Sequence, residues 1–202
     1  GVLARAGLHL GATTVRRILR PSPKPPAQSK KPSGFRTVVA KRPNHVWHID
    51  LTTVPTIGGF WISWLPFPLP QRWPFCWWVA VVVDHLSRRA LGTATFKKEP
   101  TAGDVIGFLS RMKRTVGDWP RHLITDHGVQ FTAEAFTGRV KSAGVAVSMD
   151  GRGRCLDNVF VERLWRTVKY EDVYLRGYAL VPELEQGLQR YFDFYNHERL
   201  HQ

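Results

Sequence analysis

A mixed α/β sheet with helices on both faces is the fold class that this sequence predicts, and three observations predict it. Three apolar runs lie between residues 46 and 96, spaced as strands joined by hairpins. Apolar periodicity then alternates helix, strand, helix, strand and helix as far as residue 170. A last amphipathic segment, with Pro182 in its first turn, closes the chain. At 202 residues and 43% hydrophobic composition the chain suits one domain with short attachments, not a disordered polypeptide.

Residues 46–54 alternate as a strand, with Trp47, Ile49 and Leu51 on one face and Asp50 on the other. Residues 58–74 are rich in aromatics and proline. They are either a loop folded back over the sheet or a contact surface for a second subunit or DNA. Residues 75–83 are continuously apolar, as in a central strand buried on both faces. Residues 84–89 make a turn, and 90–96 return as a third strand. Residues 101–116 have helical period through Val105, Phe108, Leu109 and Met112. A short strand over 121–125, a helix over 133–143 and a fifth strand over 145–149 follow. Asp157 is expected to cap a helix running to about Tyr170. The final helix carries Leu184, Leu188, Tyr191, Phe192 and Tyr195 on one side.

The net charge of +13 points to a polyanionic partner, and its location says more than its size. Ten Lys and Arg precede Asp50 with no acid among them; from Asp50 onward 19 face 16 acids. The cationic part is therefore the N-terminal arm. Within it, residues 1–20 resemble the end of a helix-turn-helix whose second helix carries Arg16, Arg17 and Arg20. Residues 21–44 form a basic linker, rich in proline over 21–34, and the core spans 45–202. Gly1 opens the chain with neither Met nor a signal-peptide pattern, so an N-terminally truncated chain is expected. Cys76 and Cys155 form no disulfide framework, and the eight histidines make no zinc-ligand spacing. The longest apolar stretch, 60–83, is broken by four prolines, Gln71 and Arg72, so it cannot span a membrane as a helix.

Three carboxylates stand out. Asp50 lies mid-strand among apolar residues, where an unpaired acid costs several kcal/mol or takes up a proton. Asp126 ends an apolar run and is followed at once by Gly128, as where a strand enters a loop. Glu162 sits on the last helix but one, with Asn158, Arg166 and Lys169 within roughly 40° of it around the axis. Val161, Leu164, Trp165 and Val168 form the opposing apolar stripe. Taken alone, that helix reads as an ordinary solvated face with a Glu162–Arg166 pair. Two acids on neighbouring strands and one on a packing helix can converge on a pair of divalent cations. Asp84, followed by Ser87, Arg88 and Arg89, reads instead as a turn-former.

These segments resemble the integrase core shared by retroviral integrases and bacterial insertion-sequence transposases, and the insertion-sequence group most closely. The resemblance rests on Thr125-Asp-His-Gly-Val-Gln-Phe-Thr132 and on Gly153-Arg-Cys-Leu-Asp-Asn-Val-Phe-Val-Glu162. The gap of 35 residues between Asp126 and Glu162, Lys169 seven residues further on, and Tyr195-Asn-His-Glu-Arg-Leu-His201 complete it. His127 and Leu200 depart from the commoner Asn and Pro of that group without removing a carboxylate.

The resemblance implies a ribonuclease-H-like five-stranded mixed sheet, three strands antiparallel and then two parallel. It implies a DDE transposase that cleaves and transfers DNA strands with two Mg²⁺ or Mn²⁺ ions on Asp50, Asp126 and Glu162. Asn158, Arg166 and Lys169, with Arg16 and Arg17 of the arm, would contact DNA. The partners implied are double-stranded DNA, both transposon ends and target, and further copies of the chain in a dimer or larger oligomer. No membrane partner is implied, and the expected location is the bacterial cytoplasm at the nucleoid. A non-catalytic DNA-binding copy and a nuclease that never joins strands are the competing expectations.

Overall fold

The structure is a computed structural model that describes residues 39–57, 74–149 and 155–199, without the side chains of 155–159. The chain divides into two compact units, Gly1–Thr37 and Val38–Gln202, and all described residues belong to the second. The expected helix-turn-helix remnant, most of the basic linker and nearly all of the aromatic insertion lie outside the described residues.

Five strands form one sheet in the order β3-β2-β1-β4-β5. β1 (Val46–Pro55) pairs antiparallel with β2 (Cys76–Asp84), and β2 antiparallel with β3 (Ala90–Phe96). β4 (His122–Thr125) runs parallel to β1, and β5 (Ala146–Met149) parallel to β4. The predicted sheet, three strands antiparallel and then two parallel, is therefore present. β2 sits between β3 and β1 and is buried along its whole length except Trp78, as its unbroken apolar sequence requires.

The strands' alternation divides the interior into two cores. On one side Trp47, Ile49, Ala80 and Val82 pack against Val105, Phe108 and Leu109 of α1 (Ala102–Val116). Phe136 and Val140 of α3 (Glu134–Ser142) complete that core. A capping box starts α1: Thr101 Oγ1 accepts from Asp104 N, and Asp104 Oδ2 accepts from Thr101 N. On the other side Val79, Val81 and Val83 meet Val161, Leu164, Trp165 and Val168 of α4 (Cys155–Val168). The same core takes in Leu184, Leu188, Tyr191, Phe192 and Tyr195 of α6 (Val181–His197), the five residues predicted for its buried side.

Three local expectations are corrected. A one-turn helix, α2 (Val129–Thr132), precedes α3; at four residues it is too short to show a period. α4 begins at Cys155, so Asp157 lies in its first turn instead of capping it. Helical structure also runs past Tyr170, through a π-helical turn (Lys169–Val173) and α5 (Tyr174–Arg176). Asp172, buried within that turn, accepts from Arg176 Nε at 2.8 Å and from Tyr178 Oη at 2.7 Å. Gly177, with φ +57°, then ends the run in the left-handed region. Tyr178 continues across α6 so closely that a Cβ on Gly187 would stand 1.9 Å from its hydroxyl. A five-residue turn has no place in a 3.6-residue pattern, which is why the sequence stops the helix early.

Candidate active site

β1 carries the site because its two faces differ in chemistry. Its odd residues, Trp47 and Ile49, enter the core beneath α1, so Asp50 and Thr52 face the α4 side. The parallel register of β1 and β4 pairs Val46 with His122 and His48 with Ile124. Carried on by two residues, it brings Asp126 level with Asp50 at the end of β4. The predicted placement of these two aspartates on neighbouring strands therefore holds.

Asp126 is half-buried, and the loop after it is shaped around it: Gly128 N donates to its Oδ1 at 2.9 Å. A Cβ at Gly128 would stand 3.0 Å from that oxygen and 3.2 Å from Phe131, so any side chain there would have to push its neighbours back by a few tenths of an ångström.

Asp50 is the perturbed group. Burial pushes its pKa from 3.8 up to about 7, and the nearby Asp126 charge adds to the rise. A hydrogen bond from the Leu51 backbone and one from Trp165 oppose it, and Glu162 contributes a smaller push upward. The Trp165 indole Nε1 donates to Asp50 Oδ2 at 3.0 Å. Trp165, read from sequence as part of the apolar stripe, is thus both a core residue and a ligand of the central carboxylate. An aromatic residue on a buried stripe carries no sign of this; only its indole nitrogen could have hinted that a buried acceptor was needed.

Glu162 and Arg166 are solvent-exposed on α4, whereas Lys169 is half-buried. Lys169 Nζ donates to Thr52 Oγ1 at 2.7 Å, and burial lowers its pKa while the Asp50 charge works the other way. Thr52 is a second site neighbour that sequence reading passes over. Asn158 is on α4 with its side chain outside the description, and Arg16 and Arg17 are outside it altogether.

Asp84 is where the turn reading places it. Fully buried, it accepts from Asn44 N at 2.7 Å, Ser87 N at 2.8 Å and Ser87 Oγ at 2.7 Å. The C-terminal motif is structural as well. Asn196 clasps the backbone of Ala90 through both its oxygen and its nitrogen at 2.9 Å. Arg199 forks onto Glu171, with Nη2 at 3.0 Å from Oε1.

Among the described residues no three His, Cys, Asp or Glu side chains stand close enough to hold one ion between them. The assembled part is the Asp50–Asp126 pair, with Glu162 near enough to raise the Asp50 pKa. The donor set nevertheless fits a hard divalent cation: it offers carboxylate oxygens only, and the burial and carboxylate repulsion that raise the Asp50 pKa are what a bound dication would offset.

A five-stranded mixed sheet with a mid-strand aspartate, a second aspartate at the end of the adjacent strand and a glutamate on a packed helix describes a ribonuclease-H-like fold. The chain belongs to the integrase core domain family: residues 40–155 match one Integrase core domain family and residues 143–202 a second. Among its relatives are a transposase assigned to insertion sequence element IS986/IS6110 of Mycobacterium tuberculosis and the transposase for IS904 of Lactococcus lactis. The first is 29% identical over 79% of this chain and 54% of its own length; the second is 25% identical over 80% and 58%. The chain thus spans about half the length of the curated relatives it matches. The catalytic core domain of HTLV-2 integrase, solved in complex with magnesium, superposes with a TM-score of 0.55 at 21% identity, covering 79% of this chain and 90% of that one. The core of bovine (BIV) integrase does so equally, at 0.55 and 21%, over 79% and 88%. These likenesses establish the fold. No helix among the described residues is long and apolar enough to cross a membrane.

Proposed function

We propose that this chain is the catalytic part of a DDE transposase, cleaving DNA at transposon ends and joining the ends to target DNA. The observation that carries the reading is Asp50: a mid-strand carboxylate, desolvated and set beside Asp126, with a pKa near 7 and, among the described residues, no basic side chain bonded to it. A group so destabilised as an anion is suited to a cation that arrives with the substrate.

Asp50, Asp126 and Glu162 hold the ions in this reading, two Mg²⁺ or Mn²⁺. Ions held there would supply Lewis-acid chemistry for an in-line phosphodiester displacement, at the attacking hydroxyl and at the leaving oxygen. The chain's own part is to hold and orient. Gly128 N–H holds one oxygen of Asp126, and Trp165 Nε1–H holds one oxygen of Asp50. Arg166, exposed on the Glu162 side of α4, and Lys169 supply cations for the DNA backbone, and Asn158 orients substrate. Arg16 and Arg17, with the rest of the basic arm, add salt-sensitive affinity for double-stranded DNA. Two DNA ends must be held together, so the working unit is at least a dimer.

The test is cleavage and joining of duplexes taken from the flanks of the coding sequence, with Mn²⁺ or Mg²⁺. Glu162→Gln is expected to lose at least about a thousandfold in rate with unchanged thermal stability, as an exposed residue should. Equal rates in that variant, or in chelator, end the assignment. Cleavage without joining of pre-cut ends reduces it to a nuclease.

A further inference from the structure

The bond between Trp165 and Asp50 is not a by-product of packing. Trp165 is buried in the core beneath α4, where its ring alone would be served by Phe or Leu. Among the described residues not every buried indole nitrogen is satisfied: Nε1 of Trp77 and of Trp78 finds no acceptor there. Trp165 Nε1 has one, and it is a carboxylate oxygen of the candidate site instead of a backbone carbonyl.

A second bond repeats the pattern one helical turn on. Lys169 Nζ reaches Thr52 Oγ1, so residues 165 and 169 of the helix meet residues 50 and 52 of the strand. Four helical residues advance about 6 Å and two strand residues about 6.6 Å, so the two spacings match when helix and strand run the same way. Earlier on both elements, the Phe160 and His48 rings meet edge to face at 4.5 Å. From Phe160 to Lys169 the helix rises about 13.5 Å, and from His48 to Thr52 the strand about 13 Å. Three contacts thus keep one register along the whole length. A slip of one residue on β1 would turn Asp50 and Thr52 to the other face.

We propose that Trp165 and Lys169 are positioning residues that key α4 to β1, so that one docking both orients the Asp50 carboxylate and sets how far Glu162 stands from it. Glu162 lies three residues before Trp165, so the height of Glu162 along β1 is fixed wherever Trp165 is pinned. The Lys169 bond to Thr52 prevents rotation about that single pin, and it sits at the first residue of the π-helical turn. The inference rests on Asp50 being a metal ligand, as proposed above. Groups that orient metal ligands in this way are worth roughly 10–100-fold in metal affinity.

The test is thermal unfolding of the whole chain in metal-free buffer against increasing Mn²⁺, since a ligand bound only by the folded state raises the melting temperature by mass action. Trp165→Phe keeps the ring and removes the donor; its Mn²⁺ midpoint is expected to rise about tenfold or more. Thr52→Val keeps the shape and removes the acceptor, and should also raise the midpoint, while Thr52→Ser restores it. A purely structural role would lower the metal-free melting temperature and leave the midpoint alone. Wild-type midpoints in both Trp165→Phe and Thr52→Val, with Asp50→Asn abolishing the Mn²⁺ response, overturn the positioning role and leave the metal site standing. No Mn²⁺ response in the wild type, or the same response in Asp50→Asn, overturns the metal site and the positioning role with it. Should Trp165→Phe fail to fold, the Thr52 pair decides: Val raised and Ser restored supports the keying, and Val at the wild-type midpoint refutes it.

Discussion

Asp50 and Asp84 belong to the same pair of strands, and only one of them looks like a functional group. Asp84 is the more deeply buried, at 0% exposed, yet three donors close around it from the Asn44 and Ser87 backbones and the Ser87 hydroxyl. The bonds also serve the fold, because Asn44 and Arg88 adopt left-handed conformations at φ +62° and +61°. Asp84 holds Asn44 through its side chain and Arg88 through its backbone carbonyl, at 3.0 Å from Arg88 N. Asp50 has the Trp165 indole and a Leu51 backbone bond on one side, and the charges of Asp126 and Glu162 on the other. Burial alone therefore does not mark a site. What marks it is a charge that the protein leaves partly uncompensated.

That contrast can be broken most decisively at the two aspartates themselves. Asp84→Ala strands three donors and releases the left-handed Asn44, while the backbone bond to Arg88 remains, and it should destabilise the fold by about 4 kcal/mol in urea unfolding. Asp50→Asn should cost nothing at neutral pH without metal, and should stabilise, because it removes a repelled charge. If the two substitutions destabilise equally, the distinction between them is void.

The pH dependence sharpens the same point. In the unfolded chain Asp50 ionises near 3.8 and in the folded chain near 7. Between those values the folded state holds the extra proton, so stability falls as pH rises from about 4 to 7 and then levels off. The advantage of Asp50→Asn over the wild type in metal-free buffer should thus grow across that window, by something on the order of 2–3 kcal/mol. Saturating Mn²⁺ should remove the difference in slope. A flat difference between the two proteins from pH 4.5 to 7.5 would contradict the repulsion at Asp50.

The smallest effect expected is at Ser87. Ser87→Ala removes one of the three donors to Asp84 but keeps its backbone N–H, and should cost about 1 kcal/mol. A cost near that of Asp84→Ala would mean that the hydroxyl alone holds the turn.

Much of the architecture was legible because its signals are local. The alternation of residues 46–54 assigns the faces of β1, and the unbroken apolar run of 75–83 places β2 at the centre. The π-helical turn and the one-turn α2 were not legible, since neither is long enough or regular enough to show a period.

The candidate site divides in the same way. The sequence by itself determined which carboxylates are out of place, Asp50 inside an apolar strand and Asp126 at a strand end, because burying charge is costly and leaves a mark on residue type. It determined the cationic face around Glu162 through helical spacing alone, and it assigned Asp84 to a turn. Only the tertiary structure decided that Asp126 stands level with Asp50, because strand register depends on pairing between segments more than 70 residues apart. Only the tertiary structure, too, gave Trp165 and Thr52 their partners. A hydrogen bond from one element to another depends on how a helix is docked on a strand, and no spacing within either segment records that docking.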